Sequence, residues 1–181
     1  TGFSANPNGN IAAYSYRDPS PLHSIEIYRD IYKRIKQLAE DKQTDLDKRY
    51  LRMARIWAEN SYCKRRQVGA LIVKDKMIIS DGYNGTPSGF ENVCEDENNV
   101  TKSYVLHAEA NALTKIARSG NNSDGATMYV TDEPCIECAK LIIQSGICRV
   151  IYARDYRLHD GVELLKRAGI VVKHLFLESN D

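Results

Sequence analysis

Three potential metal ligands and one carboxylate stand out in this sequence. His107 and Glu109 are separated by one residue, and Cys135 and Cys138 follow, with Cys135 placed 26 residues after Glu109. Imidazole nitrogen and thiolate sulfur are ligands that zinc binds well in proteins. Three such ligands leave a fourth position on the metal for water, as catalytic zinc sites require. The pattern therefore predicts one catalytic zinc per chain, bound by His107, Cys135 and Cys138.

Glu109 is predicted to carry protons at this site rather than to act as a fourth ligand. Zinc can lower the pKa of a bound water from about 15.7 to roughly 7, and a neighbouring carboxylate can take up the released proton. A His-x-Glu pair alone is a weak signal, and a Cys-x-x-Cys pair alone is also found in redox and structural zinc sites. A non-catalytic zinc scaffold stays open as an alternative, although such a scaffold has no use for this carboxylate.

The charge and hydrophobicity of the chain indicate which kinds of partner it does not bind. The 181 residues carry a net charge of only +1, and the densest basic cluster is Lys64-Arg65-Arg66. This charge argues against a protein that binds a long nucleic acid through its phosphates. Apolar residues make up 43% of the chain without any run of about 18, so no membrane span is expected.

The cysteine count predicts a reducing compartment. Five cysteines are an odd number, and two of them have the zinc spacing described above, which fits a secreted disulfide framework poorly. We therefore expect a cytoplasmic protein in which Cys63, Cys94 and Cys148 are free thiols.

Two helices are predicted before the first strand. Residues 1–22 are rich in Pro, Gly, Asn and Ser and are expected to form a flexible tail. Apolar residues then recur at helical spacing within residues 23–44, which predicts an extra helix, and again within residues 50–58. The predicted catalytic domain covers residues 45–176, and residues 177–181 form a C-terminal tail.

The rest of the chain alternates between strands and helices. Strands joined through helices are expected to run parallel, whereas the first two strands are separated only by the short turn Lys74-Asp75-Lys76. The order predicts an α/β fold with a five-stranded mixed sheet and helices on both faces. The predicted strands are 68–73, 77–81, 126–131, 149–153 and 170–174, and the predicted helices are 106–118, 135–145 and 161–168.

From about Asp45 to Leu175 the chain resembles the deoxycytidylate (dCMP) deaminases of the cytidine deaminase superfamily. The His-x-Glu and Pro-Cys-x-x-Cys motifs are the signature of hydrolytic zinc deaminases. The resemblance implies the three-layer α/β/α sandwich of that superfamily. The matching motifs are Cys63-x-Arg65-x-x-Val68-Gly69-Ala70, Gly82-Tyr83-Asn84-Gly85, His107-Ala108-Glu109-Ala110-Asn111-Ala112, Thr131-x-x-Pro134-Cys135-x-x-Cys138-Ala139-Lys140 and Tyr152-x-x-x-Tyr156.

The resemblance also implies an activity and its regulation. Members of this family hydrolyse dCMP to dUMP and ammonia and so supply thymidylate synthesis. They are homo-oligomers, expected here to be a hexamer or a dimer, activated by dCTP with Mg²⁺ and inhibited by dTTP. Their effector site is built around the loop that corresponds here to Gly82, Tyr83, Asn84 and Gly85.

Five residues are candidates for contacts with the substrate. By similarity, Asn84 is assigned the 3′-hydroxyl of the sugar, although an Asn-Gly pair can also simply make a turn. Arg65 is the candidate for the phosphate because a guanidinium can bind a phosphate with two hydrogen bonds, unless it is only a surface charge. Tyr152 and Tyr156 could stack on the base or belong to the core, and Asn111 could contact the ligand or only orient the site.

Several family members bind a second, structural zinc through His and Cys residues just before the His-Ala-Glu motif. Residues 100–104 contain neither residue type here, so one zinc per chain is expected. Other deaminases remain alternatives, namely a tRNA adenosine deaminase or an enzyme acting on a free nucleobase. The acidic C-terminus disfavours a tRNA substrate, which requires a basic surface.

Overall fold

The computed structural model describes residues 21–177, in which five strands form one mixed sheet. The strand order is β2-β1-β3-β4-β5, with β1 antiparallel to β2 and β3, and with β3, β4 and β5 parallel. The predicted α/β fold is confirmed, whereas nearly all of both predicted tails lies outside the described residues. The elements are α1 Pro21–Ala58, β1 Gly69–Lys74, β2 Met77–Tyr83, α2 Ala108–Ala117, β3 Thr127–Asp132, α3 Ile136–Gln144, β4 Arg149–Arg154, α4 Asp160–Arg167 and β5 Val171–His174.

Local sequence explains how these strands are connected. Asp75 and Lys76 adopt positive φ angles of 50° and 64°, which closes the tight turn between β1 and β2. The parallel strands β3, β4 and β5 are instead joined through α3 and α4, because a parallel connection must cross from one end of the sheet to the other. This parallel half of the sheet carries the segment that contains both zinc-spaced cysteines.

The hydrophobic core lies on both faces of the sheet. Successive side chains of a strand point to opposite faces, so one face buries Ile72, Met128 and Val150 and the other buries their neighbours along the strands. The first face packs against α2, α3 and α4, and the second packs against residues 50–54 of α1. The sheet is therefore covered on both sides, as the predicted three-layer sandwich requires.

Helix α1 is one continuous helix where the sequence predicted two. The prediction was based on two separate apolar stripes, one within residues 23–44 and one within residues 50–58. Residues 22–58 contain neither Gly nor Pro, so nothing in the backbone forces a break. The packed units of the chain divide between Gln43 and Thr44. Among the described residues, no helix combines the length and the apolar character that a membrane span requires.

A buried carboxylate fixes the second half of α1 to the sheet. Asp47 is completely buried and accepts hydrogen bonds from both terminal nitrogens of Arg149 and from the Tyr129 hydroxyl, the latter at 2.8 Å. Burial and the neighbouring carboxylate raise the pKa of Tyr129, and Asp47 raises the pKa of Arg149. A charged group stays buried only when such partners satisfy it, so this contact defines where α1 sits on β3 and β4.

Two of the three predicted free thiols are in fact bonded to each other. Cys63 and Cys94 form a disulfide across a sequence separation of 31 residues, whereas Cys148 is a free, exposed thiol as expected. The pairing joins the segment after α1 to the long loop before α2, which sequence spacing alone does not indicate. The same loop is held by isolated bridges between Gly85 and Leu106 and between Glu95 and Thr101.

Replacing both bonded cysteines by serine, C63S with C94S, is expected to destabilise the protein by roughly 3–4 kcal/mol, because the cross-link restricts the unfolded chain. Urea denaturation under oxidising conditions measures the change, and C148S is the matched control that should leave the midpoint unchanged. Equal midpoints for the double variant and the unaltered protein would show that the disulfide does not contribute.

Candidate active site

The three predicted zinc ligands lie at the starts of two helices. His107 and Cys135 are the residues that immediately precede the first turns of α2 and α3, and both have extended backbones. Cys138 follows within the first turn of α3. Pro134 precedes the cap, and the helix begins at Ile136, one residue after the predicted start. The unpaired N–H groups and the positive dipole at these helix starts favour thiolates.

The ligand atoms of these residues converge on one point. Nδ1 of His107 lies 3.5 Å from Sγ of Cys135 and 3.4 Å from Sγ of Cys138, and all three atoms lie within 4.8 Å of one another. The Cys138 thiol and the His107 ring donate hydrogen bonds to Cys135, which lowers the pKa of Cys135 to about 3. The hydrogen bond to Cys135 and burial both raise the pKa of Cys138. One imidazole and two sulfurs at this spacing fit zinc.

Glu109 lies in the first turn of α2 and is almost completely buried, with 4% of its surface exposed. Burial raises the pKa of Glu109 to about 7, although the nearby His107 opposes the shift. Its side chain also contacts Cys138 through a hydrogen bond. A carboxyl group with a pKa near neutrality can both accept and release a proton, which is the property predicted for it.

Two glycines permit the close packing that brings these helix starts together. A Cβ atom on Gly82 would lie 2.2 Å from the carbonyl oxygen of Ala108, at the start of α2. A Cβ atom on Gly161 would lie 2.1 Å from the carbonyl oxygen of Pro134, directly before Cys135. Both distances are far shorter than a carbon–oxygen contact allows, so these positions accept only glycine without moving the backbone that carries the ligands.

A cavity of roughly 390 Å³ opens beside the three ligands. This volume falls in the range of pockets that hold small molecules. Its wall combines the zinc-site residues with carboxylates, guanidinium groups and one tyrosine. The lining residues are Cys63, Arg65, Arg66, Val68, Asn84, Glu95, Thr101, Val105, His107, Ala108, Glu109, Asp132, Glu133, Cys135, Tyr156 and Arg157.

Three of the five predicted substrate residues line this cavity and two do not. Arg65, Asn84 and Tyr156 are part of its wall. Tyr152 is instead buried in the core, where its ring stacks on His174 with centroids 4.7 Å apart. Asn111 lies outside the lining and donates from its amide nitrogen to the carbonyl oxygen of Tyr83 at 2.9 Å, so it joins α2 to β2.

Asn84 uses its side chain largely to hold the backbone. Its amide oxygen accepts from the N–H of Val68 at 2.8 Å, and its amide nitrogen donates to the carbonyl oxygen of Arg66 at 2.8 Å. One N–H and one lone pair of this amide remain available for other partners. Of the four residues assigned to the effector loop, only Asn84 lines the cavity, while Gly82, Tyr83 and Gly85 lie outside its wall.

The charged groups of the cavity wall fall into two sets. Asp132 forms ion pairs with Arg66 and with Arg154, so these two guanidinium groups share one carboxylate. The Arg65 guanidinium group donates to the Thr101 hydroxyl at 3.4 Å, while the Arg65 backbone N–H donates to the Glu95 carboxylate at 3.1 Å. Neither the Arg65 nor the Arg157 side chain forms an ion pair with any described residue. Arg157 was not predicted from the sequence, although it directly follows the candidate Tyr156.

Glu133 was also missed, and it ties the loop after β4 to the segment before the ligand cysteines. It is 3% exposed, and its carboxylate accepts from the backbone N–H of Tyr156 at 2.9 Å and contacts Nδ1 of His159 at 2.9 Å. This contact raises the pKa of His159. The only local signal was its position beside Pro134-Cys135. Through these bonds, Glu133 holds Tyr156 and Arg157 at the cavity.

The fold and the site together define a zinc-dependent hydrolytic deaminase. The model of one protein family, described as the cytidine and deoxycytidylate deaminase zinc-binding region, matches residues 44–154 of the chain. The chain therefore belongs to the cytidine and deoxycytidylate deaminase family.

Individual relatives agree with this assignment. The chain is 40% identical to the ComE operon protein 2 of Bacillus subtilis over 71% of this chain and 70% of that protein. It is 36% identical to the Deoxycytidylate deaminase of Saccharomyces cerevisiae over 76% of this chain, but it spans only 47% of that protein. A crystal structure of the dCMP deaminase from the cyanophage S-TIM5, in complex with dCMP and dUMP, superposes with a TM-score of 0.71, at 42% identity over 72% of this chain and 97% of that one.

The Glu133 contact can be tested through His159. Since the carboxylate stabilises the protonated ring, E133Q is expected to lower the pKa of His159 towards its ordinary value of about 6.5. The contact is strongest below the raised pKa and weakens as the pH rises through it. NMR titration of the ring protons measures the shift.

E163Q serves as the control because Glu163 contributes a weaker charge interaction to the same ring and should change the pKa less. In E133A, which also removes the acceptor for the Tyr156 N–H, the amides of residues 155–158 should exchange with solvent faster. Equal His159 pKa values in E133Q and the unaltered protein would contradict the contact.

Proposed function

We propose that this chain hydrolyses dCMP to dUMP and ammonia, and that the reaction supplies dUMP for thymidylate synthesis. The observation that carries the proposal is one cavity lined by two of the three zinc ligands, His107 and Cys135, by the buried carboxyl group of Glu109, and by two arginine side chains that form no ion pair among the described residues. Relatives named deoxycytidylate deaminase, and the cyanophage enzyme in complex with dCMP and dUMP, support the substrate.

Glu109 moves the protons of the reaction. A zinc ion held by His107, Cys135 and Cys138 would supply water activated for attack on C4 of the cytosine ring. The Glu109 carboxylate accepts one proton from the attacking water and delivers it to N3 of the ring. It then passes the second proton of that water to the leaving amino group, which departs as ammonia and leaves the C4 carbonyl of dUMP. The pKa of Glu109 near 7 suits both directions of transfer.

Arg65 and Arg157 bind the 5′-phosphate. Both line the cavity, and neither is neutralised by a carboxylate of the described chain. A guanidinium group can bind phosphate oxygens with two parallel hydrogen bonds, which favours a nucleotide over a nucleoside. Arg66 is not assigned this role because its guanidinium group is already engaged in an ion pair with Asp132.

The remaining substrate contacts come from the cavity wall and its support. Asn84 presents its free amide N–H and lone pair to the 3′-hydroxyl of the sugar, and the Tyr156 ring covers the base. Tyr152 and Asn111 act indirectly, because Tyr152 packs in the core below the site and Asn111 joins α2 to β2.

Regulation and assembly are proposed from the family resemblance, and the compartment is proposed from the cysteine count. We propose that dCTP with Mg²⁺ activates and dTTP inhibits, with the effector contacted by the loop of Gly82, Tyr83, Asn84 and Gly85. The active form is a homo-oligomer, a hexamer or a dimer, that works in the cytoplasm. Each of these statements is tested by the ammonia-release measurement with and without effector, by the mass in solution and by the location in cells.

Replacing the proton carrier by its uncharged analogue, E109Q, is expected to reduce turnover of dCMP by about 10²–10⁴-fold while zinc remains bound, because the amide cannot shuttle protons. Steady-state ammonia release and metal analysis measure the two effects. H107A should lose both zinc and activity. Activity of E109Q close to that of the unaltered enzyme would overturn the role of Glu109.

The phosphate contacts predict a difference between nucleotide and nucleoside substrates. R65A and R157A are each expected to lower kcat/KM for dCMP by about 10–100-fold, the effect of one charge-assisted hydrogen bond, and to leave deoxycytidine hydrolysis unchanged. R167A, an exposed arginine of α4, is the matched control. Equal losses on dCMP and deoxycytidine would contradict the phosphate assignment, and no hydrolysis of any cytosine nucleotide would contradict the function itself.

A further inference from the structure

The first half of α1 carries an apolar face whose spacing is typical of helix pairs. Ile25, Tyr28, Tyr32, Ile35 and Ala39 follow one another at alternating intervals of three and four residues. This is the 3.5-residue repeat with which two helices pack along a shared seam. At 100° per residue, Ile27, Ile31 and Leu38 lie beside this seam, so the eight residues form the apolar face of α1.

The apolar face is exposed in the described chain. Tyr28 is 73% exposed, Tyr32 is 69% exposed and Ile35 is 61% exposed, and the other members of the face are also exposed. Single exposed apolar residues are common on proteins, but a contiguous row of this length marks a surface that another molecule covers.

The deaminase function does not account for this face. The family match begins at residue 44, and the packed units of the chain divide between Gln43 and Thr44. None of the residues that line the cavity precedes residue 63. The apolar face is therefore an addition to the catalytic fold.

The charges on the opposite side of the helix indicate the kind of partner. Residues 21–43 contain five basic and four acidic residues, a difference of +1, and all of them except Lys42 lie outside the apolar face. Helices that bind anionic membranes carry predominantly basic polar faces, so this mixture is unsuited to a membrane surface. The nearly balanced charge allows two copies of the helix to lie side by side.

The distribution of these charges along the helix favours an antiparallel pair. Residues 21–31 carry two acidic and one basic residue, a sum of −1, whereas residues 32–43 carry four basic and two acidic residues, a sum of +2. In an antiparallel pair each acidic half lies beside the basic half of the other helix.

We propose that residues 24–43 bind the same segment of a second copy of this chain, as an antiparallel helix pair that buries the apolar face of α1. This contact is separate from any contact between catalytic units, and it does not depend on the identity of the substrate.

Hydrogen exchange of the full chain tests the proposal directly. If a second copy covers the face, the amides of residues 24–43 should exchange at least about tenfold more slowly at high than at low protein concentration, because pairing follows mass action. The double substitution I31E with I35E should abolish this concentration dependence and lower the mass measured by sedimentation. R167E changes the net charge by the same two units on the exposed surface of α4, outside this segment, and should preserve the pairing.

Two outcomes would overturn the proposal. Strong protection in a sample whose sedimentation mass is that of a single chain would show that another part of the same chain covers the face. Fast exchange at every concentration, with the same mass for the unaltered protein and for I31E with I35E, would show that the copies do not pair there. The exchange rates in both outcomes are measured on the unaltered protein, so they are informative even if the double variant fails to fold.

Discussion

The whole active site depends on how closely the first turns of α2 and α3 approach the elements beneath them. Gly82 lies under the start of α2, and Gly161 lies against the segment that leads into Cys135. Zinc requires sulfur ligands at about 2.3 Å and nitrogen at about 2.0 Å, with little tolerance. A side chain at either glycine would displace a ligand-bearing backbone by more than that tolerance. The close packing at these two glycines therefore also fixes the geometry of the metal site.

The zinc ligands and the fold class could be predicted from the sequence because their signals are local. The spacing of Cys135 and Cys138 places both at one helix start, and the alternation of strands and helices determines which strands run parallel. The prediction was wrong for Cys63 and Cys94, which were expected to be free thiols, and for α1, which was expected to be two helices. The disulfide depends on a contact between distant segments, and the continuity of α1 depends on polar residues that resemble a linker but continue the helix.

The cavity wall was predicted only in part, for a related reason. Arg65 and Tyr156 line the cavity. Tyr152 belongs to the same sequence motif as Tyr156, but it lies on a strand whose neighbours bury it. Arg157 and Glu133 carry no motif of their own. Their roles appear only when the loop after β4 and the segment before α3 are brought together, which no single stretch of sequence encodes.

The Glu133 carboxylate makes the substrate loop and the metal segment energetically interdependent. One end of this residue is continuous with the backbone that leads to Cys135, and the other binds the loop that carries Tyr156 and Arg157. Because such linkage is reciprocal, a nucleotide that orders the loop also stabilises the cysteine segment, and a metal that orders the cysteines favours the loop conformation that receives the nucleotide. Under the proposed function, substrate affinity and metal retention are thus two readings of one coupling energy.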